Sequence, residues 1–283
     1  MPGQPPASIV IPTRRRPDYL EVTLASIAPQ AADAGAELIV VNDGGDAATD
    51  AVARQHGARV IALGAPGGLN AGRNAGAANA RSDLIVFVDD DVQAPREWLA
   101  SLLAGVARAP HASVFGGPIR GRLEGGGPRS CGREGAPITT LDLGPADRDV
   151  PLVWGANMAI RRRALQLAGA FDQALNGRGD EEDWERRYTA AGGVVRYVAA
   201  AGLDHRRSPA DATLRRLTRA AYGQGRDARR YDVRKRVAPS LRNEVRVLAG
   251  CLWHIIRRRC ANGFVLAAHS AGRIREAVRA VGR

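Results

Sequence analysis

Three observations predict an α/β fold for this chain, with a mostly parallel central sheet flanked by helices and a helical, basic C-terminal extension. Short β-rich runs alternate with segments of helical periodicity from residue 8 to residue 198, the alternation that builds parallel strands joined by crossover helices. One of those runs, Leu84 to Asp91 (LIVFVDDD), has five apolar residues in a row, as strands covered on both faces do, and ends on three aspartates. The charge is segregated as well. Residues 1–205 hold 21 Lys+Arg against 24 Asp+Glu, whereas residues 206–283 hold 20 against 5. The excess of +12 therefore belongs to the tail, and the expected boundary falls between an α/β domain at 1–207 and an extension at 208–283.

The elements follow in order. Ser8 to Pro12 (SIVIP) reads as a strand, Thr13 to Arg16 as a polar loop, and Pro17 as the first residue of a helix whose Leu20, Leu24 and Ile27 recur at helical spacing. A second strand, Glu37 to Asn42, ends on Asp43-Gly44-Gly45, and a third, Ala58 to Leu63, precedes the glycine-rich Gly64 to Gly76. After LIVFVDDD the pattern predicts a helix from Pro95 to about Ala109 and a strand near Ser113 to Gly117. Ile119 to Val150, rich in Gly, Pro and Arg, reads as a long irregular segment. Structure resumes with Val153 to Ile160, a helix from Arg162 to about Ala168, and an acidic cluster, Asp180-Glu181-Glu182-Asp183, leading a helix through Ala191. Val194 to Val198 reads as the last strand, with Asp204-His205 in the loop beyond. In parallel sheets ligands bind at the carboxyl ends of the strands, so Thr13, Asp43 and Asp89 to Asp91 are expected on one edge.

Composition excludes several classes. With 283 residues, 45% hydrophobic and 25% charged, the chain can bury a large core. Cys131, Cys251 and Cys260 are odd in number and form no CxxC pair, which argues for a reducing compartment and against a structural zinc site. MPGQPPAS shows neither a basic start nor an apolar core, so no signal peptide is expected and the reading is cytoplasmic. There is no GxxxxGK and no GxGxxG after a strand, against P-loop and dinucleotide chemistry.

Three carboxylates at the mouth of a buried strand call for a counter-charge, and a hard divalent cation, Mn2+ or Mg2+, supplies one while sharing its ligands with phosphates. An acidic cap on the next helix explains the same residues equally well in isolation. Asp43 suits a hydrogen bond from a ring N–H of uracil or thymine, or is a turn aspartate before Gly-Gly. Arg73, within NAGRNAG, offers a guanidinium to a phosphate, or is a surface arginine on a tightly packed helix. Four acids at Asp180 to Asp183 exceed what a helix start needs.

The blocks SIVIPTRRRPDYL (Ser8 to Leu20), ELIVVNDGG (Glu37 to Gly45), GGLNAGRNAG (Gly67 to Gly76), LIVFVDDD, WGANMAIRRRAL (Trp154 to Leu165) with GAFD (Gly169 to Asp172), and DEEDWERRYTAAG (Asp180 to Gly192) stand in a meaningful order. In that order they resemble the inverting family-two nucleotide-sugar glycosyltransferases of GT-A fold, over roughly residues 7 to 205. The resemblance implies a GT-A type single nucleotide-binding domain and, position by position, a site. Pro12, Thr13 and Arg14 would line the nucleotide, Asp43 would meet the base, and Arg73 would lie near the diphosphate. Asp89 and Asp91 match the outer acids of the Asp-x-Asp motif, with Asp91 on the metal and Asp89 or Asp90 nearer the ribose; His205 matches a further metal ligand. Trp154, Gly155, Ala156 and Asn157 match a segment lining the sugar and acceptor pocket. Among Asp180, Glu181, Glu182 and Asp183 stands the general base, with Glu181 and Glu182 favoured and not separated. The partners implied are a nucleoside-diphosphate sugar, with UDP or TDP favoured, and a hydroxyl acceptor.

In the tail, Val245 to Ile256 (VRVLAGCLWHII) is followed by Arg257-Arg258-Arg259. The run is too short to span a bilayer. It suits either an interfacial helix, which would fit a lipid-linked acceptor at the inner face of the cell membrane, or a helical subdomain or homodimer surface. No nucleic acid is expected, because the tail has few aromatics. The alternatives are a non-catalytic nucleotide-binding protein with a nucleic-acid-binding tail, and a sugar nucleotidyltransferase.

Overall fold

The computed structural model describes residues 3–132, 138–175, 177 and 179–281. It divides into two compact units. The first comprises residues 1–120, 140–174 and 180–205, and the second residues 121–139, 175–179 and 206–283. The second unit thus takes in two segments, residues 121–139 and 175–179, that lie well before its main stretch in the chain.

The first unit opens with β1 (Ser8–Thr13), α1 (Pro17–Ala34), β2 (Glu37–Asp43), α2 (Ala47–Gln55), β3 (Arg59–Leu63), α3 (Leu69–Asn79) and β4 (Leu84–Val88). β5 (Val92–Gln93), α4 (Trp98–Arg108), β6 (Val114–Gly116), β7 (Ile119–Leu123), β8 (Arg148–Val150), β9 (Asn157–Arg161), α5 (Arg162–Ala168), α6 (Asp180–Ala190), β10 (Val195–Tyr197) and β11 (Leu203–Arg207) follow. The main sheet has the order β3-β2-β1-β4-β9-β6-β10-β8, and a smaller one the order β5-β11-β7. β3, β2, β1 and β4 run parallel, and β9 enters antiparallel between β4 and β6.

β1, β2 and β4 are apolar on both faces because the sheet is covered on both. Ile9, Ile11, Val40, Val86 and Val88 pack on one side with Leu20, Leu24 and Trp98, while Val10, Ile39, Val41, Ile85 and Phe87 pack on the other with Phe171 and Trp184. Two glycines of α3 let that helix lie flat on β1. A Cβ on Gly72 would come 2.9 Å from Pro12 Cβ, and one on Gly76 would overlap Val10. The NAGRNAG run is therefore a packing device, as its small residues suggest, yet Arg73 within it is buried rather than on the surface.

Several elements differ from expectation. The helix after Pro95 begins at Trp98, and within Val153 to Ile160, where structure was expected to resume, a turn precedes β9, which begins at Asn157. The irregular stretch contains β7 and β8, whose pattern is masked by Gly and Arg; residues 133–137 lie outside the described residues. His205 stands on β11, not in a loop, because Leu203 to Arg207 finds a partner in β5, pairing His205 with Val92.

The second unit is led by three helices, α7 (Leu214–Arg234), α8 (Leu241–Arg258) and α9 (Asn262–Val281). α7 and α9 cross closely, since a Cβ on Gly225 or Gly272 would overlap the backbone of His269 or Tyr222. Buried Glu244 on α8 binds Arg273 at 2.8 Å and Arg229 at 3.3 Å, and Arg273 also reaches Asp232 at 2.7 Å, so one ion network ties the three helices. Among the described residues no helix is long and apolar enough to cross a membrane.

Candidate functional site

The site lies where parallel register brings strand ends together. β1 pairs with β2 as Thr13 with Asn42 and with β4 as Val10 with Phe87, so Thr13 arrives beside Asp90 and Asp43 follows one residue beyond. β9 runs antiparallel, with Asn157 opposite Val88, so its approach segment, Trp154 to Ala156, passes the same edge. β11 carries His205 in beside Asp91.

Two groups of side chains result. In the first, Asp89, Asp91 and His205 each offer one ligand atom, all within 4.8 Å of one another. His205 Nε2 stands 3.0 Å from Asp91 Oδ1. Asp90 points elsewhere. It accepts from Thr13 Oγ1 at 2.6 Å and from Arg16 at 2.7 Å, and Arg16 donates to Asp91 Oδ2 at 2.9 Å. Burial, first, and the neighbouring Asp91 push the Asp89 carboxyl upward. Burial likewise raises Asp90, which Arg16 only partly offsets, to about 7. Two crowded carboxylates and one imidazole are a donor set that fits a divalent cation such as Mn2+, whose charge would relieve that crowding.

In the second group, Arg73 reaches from α3 to donate to Asp180 Oδ2 at 2.6 Å, with Glu181 at 3.9 Å. Both partners stand at the start of α6, which an aromatic ladder seats: Phe87, Phe171, Trp184 and Tyr188 follow one another at centroid spacings of 5.6, 5.1 and 5.6 Å. Burial, the largest single influence, would raise Asp180, but the Arg73 guanidinium together with hydrogen bonds from Glu181, Arg73 and the backbone holds that carboxyl below the ordinary range. Glu181 goes the other way, raised well above it by burial and then by the adjacent Asp180. Its Oε1 accepts from the Gly155 N–H at 3.4 Å. Gly155 must lack a side chain, since a Cβ would overlap the Arg73 guanidinium. Glu182 and Asp183 turn to the i+4 arginines, Arg186 at 3.6 Å and Arg187 at 3.2 Å. The two groups are neighbours, for Asp89 feels the charges of both Arg73 and Asp180.

The remaining candidates fall into place individually. Asp43 accepts from the Gly67 and Gly68 N–H groups at 2.7 and 3.1 Å, fastening the loop ahead of α3. Pro12 is buried under Gly72, and Arg14 is exposed. Trp154 is half-buried and Ala156 buried. Asn157 is buried and structural in its bonds, accepting from Trp98 Nε1 at 3.0 Å and donating to Ala201 O at 2.8 Å.

Two residues at this edge escape sequence reasoning. Arg16 looks like its neighbours Arg14 and Arg15 in composition; only its place before the helix-starting Pro17 marks it. Glu185, fully buried, accepts from the Val153 N–H at 2.9 Å, and its other oxygen has no partner among the described residues. Burial raises it to about 8. Its i+4 spacing from Glu181 was the available signal.

Clustered carboxylates, a histidine and a buried arginine thus stand at the carboxyl edge of a mostly parallel sheet, in an α/β domain of GT-A type. The sequence profile described as Glycosyl transferase family 2 matches residues 8–167, and the chain belongs to that family. A relative in Mycobacterium tuberculosis, named pre-mycofactocin glycosyltransferase, is 30% identical over 235 residues, covering 78% of this chain and 47% of the relative. The chain thus spans about half the length of that curated relative. Among solved structures, GalNAc-T7 with UDP, GalNAc and Mn2+ superposes with a TM-score of 0.56 at 16% identity, over 77% of this chain and 47% of the other. S. aureus TarS superposes with a TM-score of 0.53 at 22% identity, over 76% of this chain and 39% of the other. These two likenesses share the fold.

Proposed function

We propose that the first unit is an inverting, metal-assisted glycosyltransferase that moves a sugar from a nucleoside-diphosphate sugar, UDP or TDP favoured, to an acceptor hydroxyl. The observation that carries this reading is the meeting, on one sheet edge, of the Asp89, Asp91 and His205 donors with the Arg73, Asp180 and Glu181 group. Family membership and the mycobacterial relative's name agree with it.

Asp89, Asp91 and His205 would hold Mn2+ or Mg2+, which when bound supplies positive charge to the leaving diphosphate. Of the four acids, Glu181 is the base in this reading. Asp180 is neutralised by Arg73, and Glu182 and Asp183 face their arginines, whereas Glu181 has a carboxylate made more basic by its surroundings. The acceptor O–H bond breaks, and its proton goes to Glu181. The freed oxygen forms a bond to the anomeric carbon from the face opposite the diphosphate, and the carbon–oxygen bond to the diphosphate breaks with its electron pair leaving on that oxygen. Configuration inverts, and no covalent enzyme intermediate is needed. Asp43 holds the loop beside the base subsite, and Trp154 to Ala156 line the sugar and acceptor side.

The second unit supports peripheral contact with an anionic membrane, and hence a lipid-linked acceptor in envelope polysaccharide, glycolipid or glycoconjugate synthesis. Trp253 and Ile256 on α8 are 64% and 73% exposed, beside Arg257 and Arg258, an amphipathic arrangement that suits a headgroup boundary.

The test is a pair of variants assayed by calorimetry with UDP and Mn2+ and by release of UDP from a panel of UDP-sugars. Asp91→Ala is expected to lose metal-dependent nucleotide binding. Glu181→Gln is expected to keep binding and lose transfer by about 10²- to 10⁴-fold. Absence of any metal-dependent nucleotide binding by the unsubstituted protein would overturn the reading.

A further inference from the structure

We propose that Cys131, His254 and Cys260 form a binding site for zinc, or for a divalent cation with the same preference for sulfur and imidazole, in the second unit. Their ligand atoms all lie within 4.8 Å of one another, although Cys131 is more than a hundred positions from the other two. Cys131 Sγ stands 3.4 Å from His254 Nε2. Zinc–sulfur and zinc–nitrogen bonds of about 2.3 and 2.05 Å at a tetrahedral angle put such a pair about 3.6 Å apart, so the observed edge needs almost no adjustment.

The backbone is built for the convergence. α8 carries His254 in its last turns and ends at Arg258; Arg259 then takes a left-handed conformation, φ 48° and ψ 40°, that turns the chain back and delivers Cys260. The Ala261 N–H donates to Arg129 O at 3.0 Å, fastening the approach to Cys131 alongside that turn. Cys131 donates its own N–H to Cys260 Sγ at 3.3 Å, a bond that favours the thiolate over the thiol. A Cβ on Gly263 would press on Ile255 at 2.6 Å and stand 3.3 Å from His254 Cδ2, so the glycine leaves the imidazole its place. Cys260 is buried, while Cys131 and His254 are half-buried and open to an entering ion.

The chemistry separates this cluster from the sheet-edge donors. Two sulfurs and an imidazole nitrogen select zinc, whereas two carboxylates and an imidazole admit Mn2+. Binding would displace the thiol protons to solvent and cross-link the segment around Cys131 to the α8–α9 turn. A cysteine count does not reveal the cluster because Cys131 lies far along the chain from His254 and Cys260, the local CxxC signature being only one way to build such a centre.

The test uses the full-length protein, made with zinc in the medium, purified without chelator and assayed by elemental mass spectrometry. About one zinc per chain is expected. Asp91→Ala and Cys251→Ser are expected to keep it, and Cys131→Ser, His254→Gln and Cys260→Ser to lose it by at least about tenfold. Cobalt(II) added to the metal-free wild type is expected to give a thiolate-to-metal charge-transfer band and strong tetrahedral visible bands, a readout that needs no variant to fold. Lack of zinc together with lack of the thiolate band would overturn the proposal. So would zinc that disappears with Asp91→Ala alone, or a Cys131–Cys260 disulfide in protein kept anaerobic and reduced. The glycosyl-transfer reading stands or falls separately, on nucleotide binding.

Discussion

Arg73 decides more of the site than any other single residue. Buried between two carboxylates, it is the counter-charge that lets Asp180 stay ionised in an apolar setting, and its removal leaves uncompensated charge in the interior. Arg73→Ala is expected to cost about 3–5 kcal/mol, read by urea unfolding. Asp180→Asn tests the electrostatics instead. Burial and Asp180 together hold Glu181 upward, so the rising limb of the transfer rate against pH, which follows loss of the Glu181 proton, should move to lower pH when Asp180 loses its charge. Glu185 gives a stability prediction. Its folded value of about 8 lies above the unfolded 4.5, so between those pH values the folded state holds a proton the unfolded state has lost. Stability therefore falls as pH rises through that window, by a few kcal/mol in all, because each pH unit crossed costs about 1.4 kcal/mol. Glu185→Gln should flatten the fall, measured by melting temperature from pH 5 to 9. None of this was legible in the sequence, where Arg73 read as a phosphate ligand or a surface residue, and Glu185 stood beyond the four-acid cluster without any mark of burial.

At the scale of elements, α3 shows what a helix gives up to lie close to a sheet. Replacing glycine by alanine in a helix ordinarily stabilises by up to about 1 kcal/mol, but at Gly76 the added Cβ would overlap Val10 on β1. Gly76→Ala is expected to destabilise by about 1–3 kcal/mol, and the sign of the change in chemical denaturation is the decisive observation. The strands β1, β2 and β4 were legible because strands buried on both faces are largely apolar, and the aspartates at the ends of β2 and β4 because charge cannot continue into such a run. β7, β8 and β11 were not. Short strands of polar sequence take their identity from a partner rather than from their own residues, and His205 is a strand residue because it pairs with Val92.

Across the whole molecule, charge follows the chain, and the excess lies at 206–283. The proposed membrane contact predicts that the protein co-sediments with anionic vesicles at low salt and not with neutral ones. Binding should weaken at high salt, since each arginine contributes about 1 kcal/mol through a screened field. Trp253→Ala with Ile256→Ala should reduce it further, and equal recovery on neutral vesicles would contradict the reading. By itself the sequence determined the class of fold, the family and the aspartates that follow β4, because hydrophobic period and short motifs are local properties. Only the tertiary structure decided what those residues do to each other: that Arg73 is clamped by Asp180, that Arg16 is folded onto Asp90 and Asp91, and that Cys131 meets the remote His254 and Cys260. The aspartates of LIVFVDDD were visible from the start, but their partners come from Arg16 and His205, and electrostatic pairing depends on distance in space rather than along the chain.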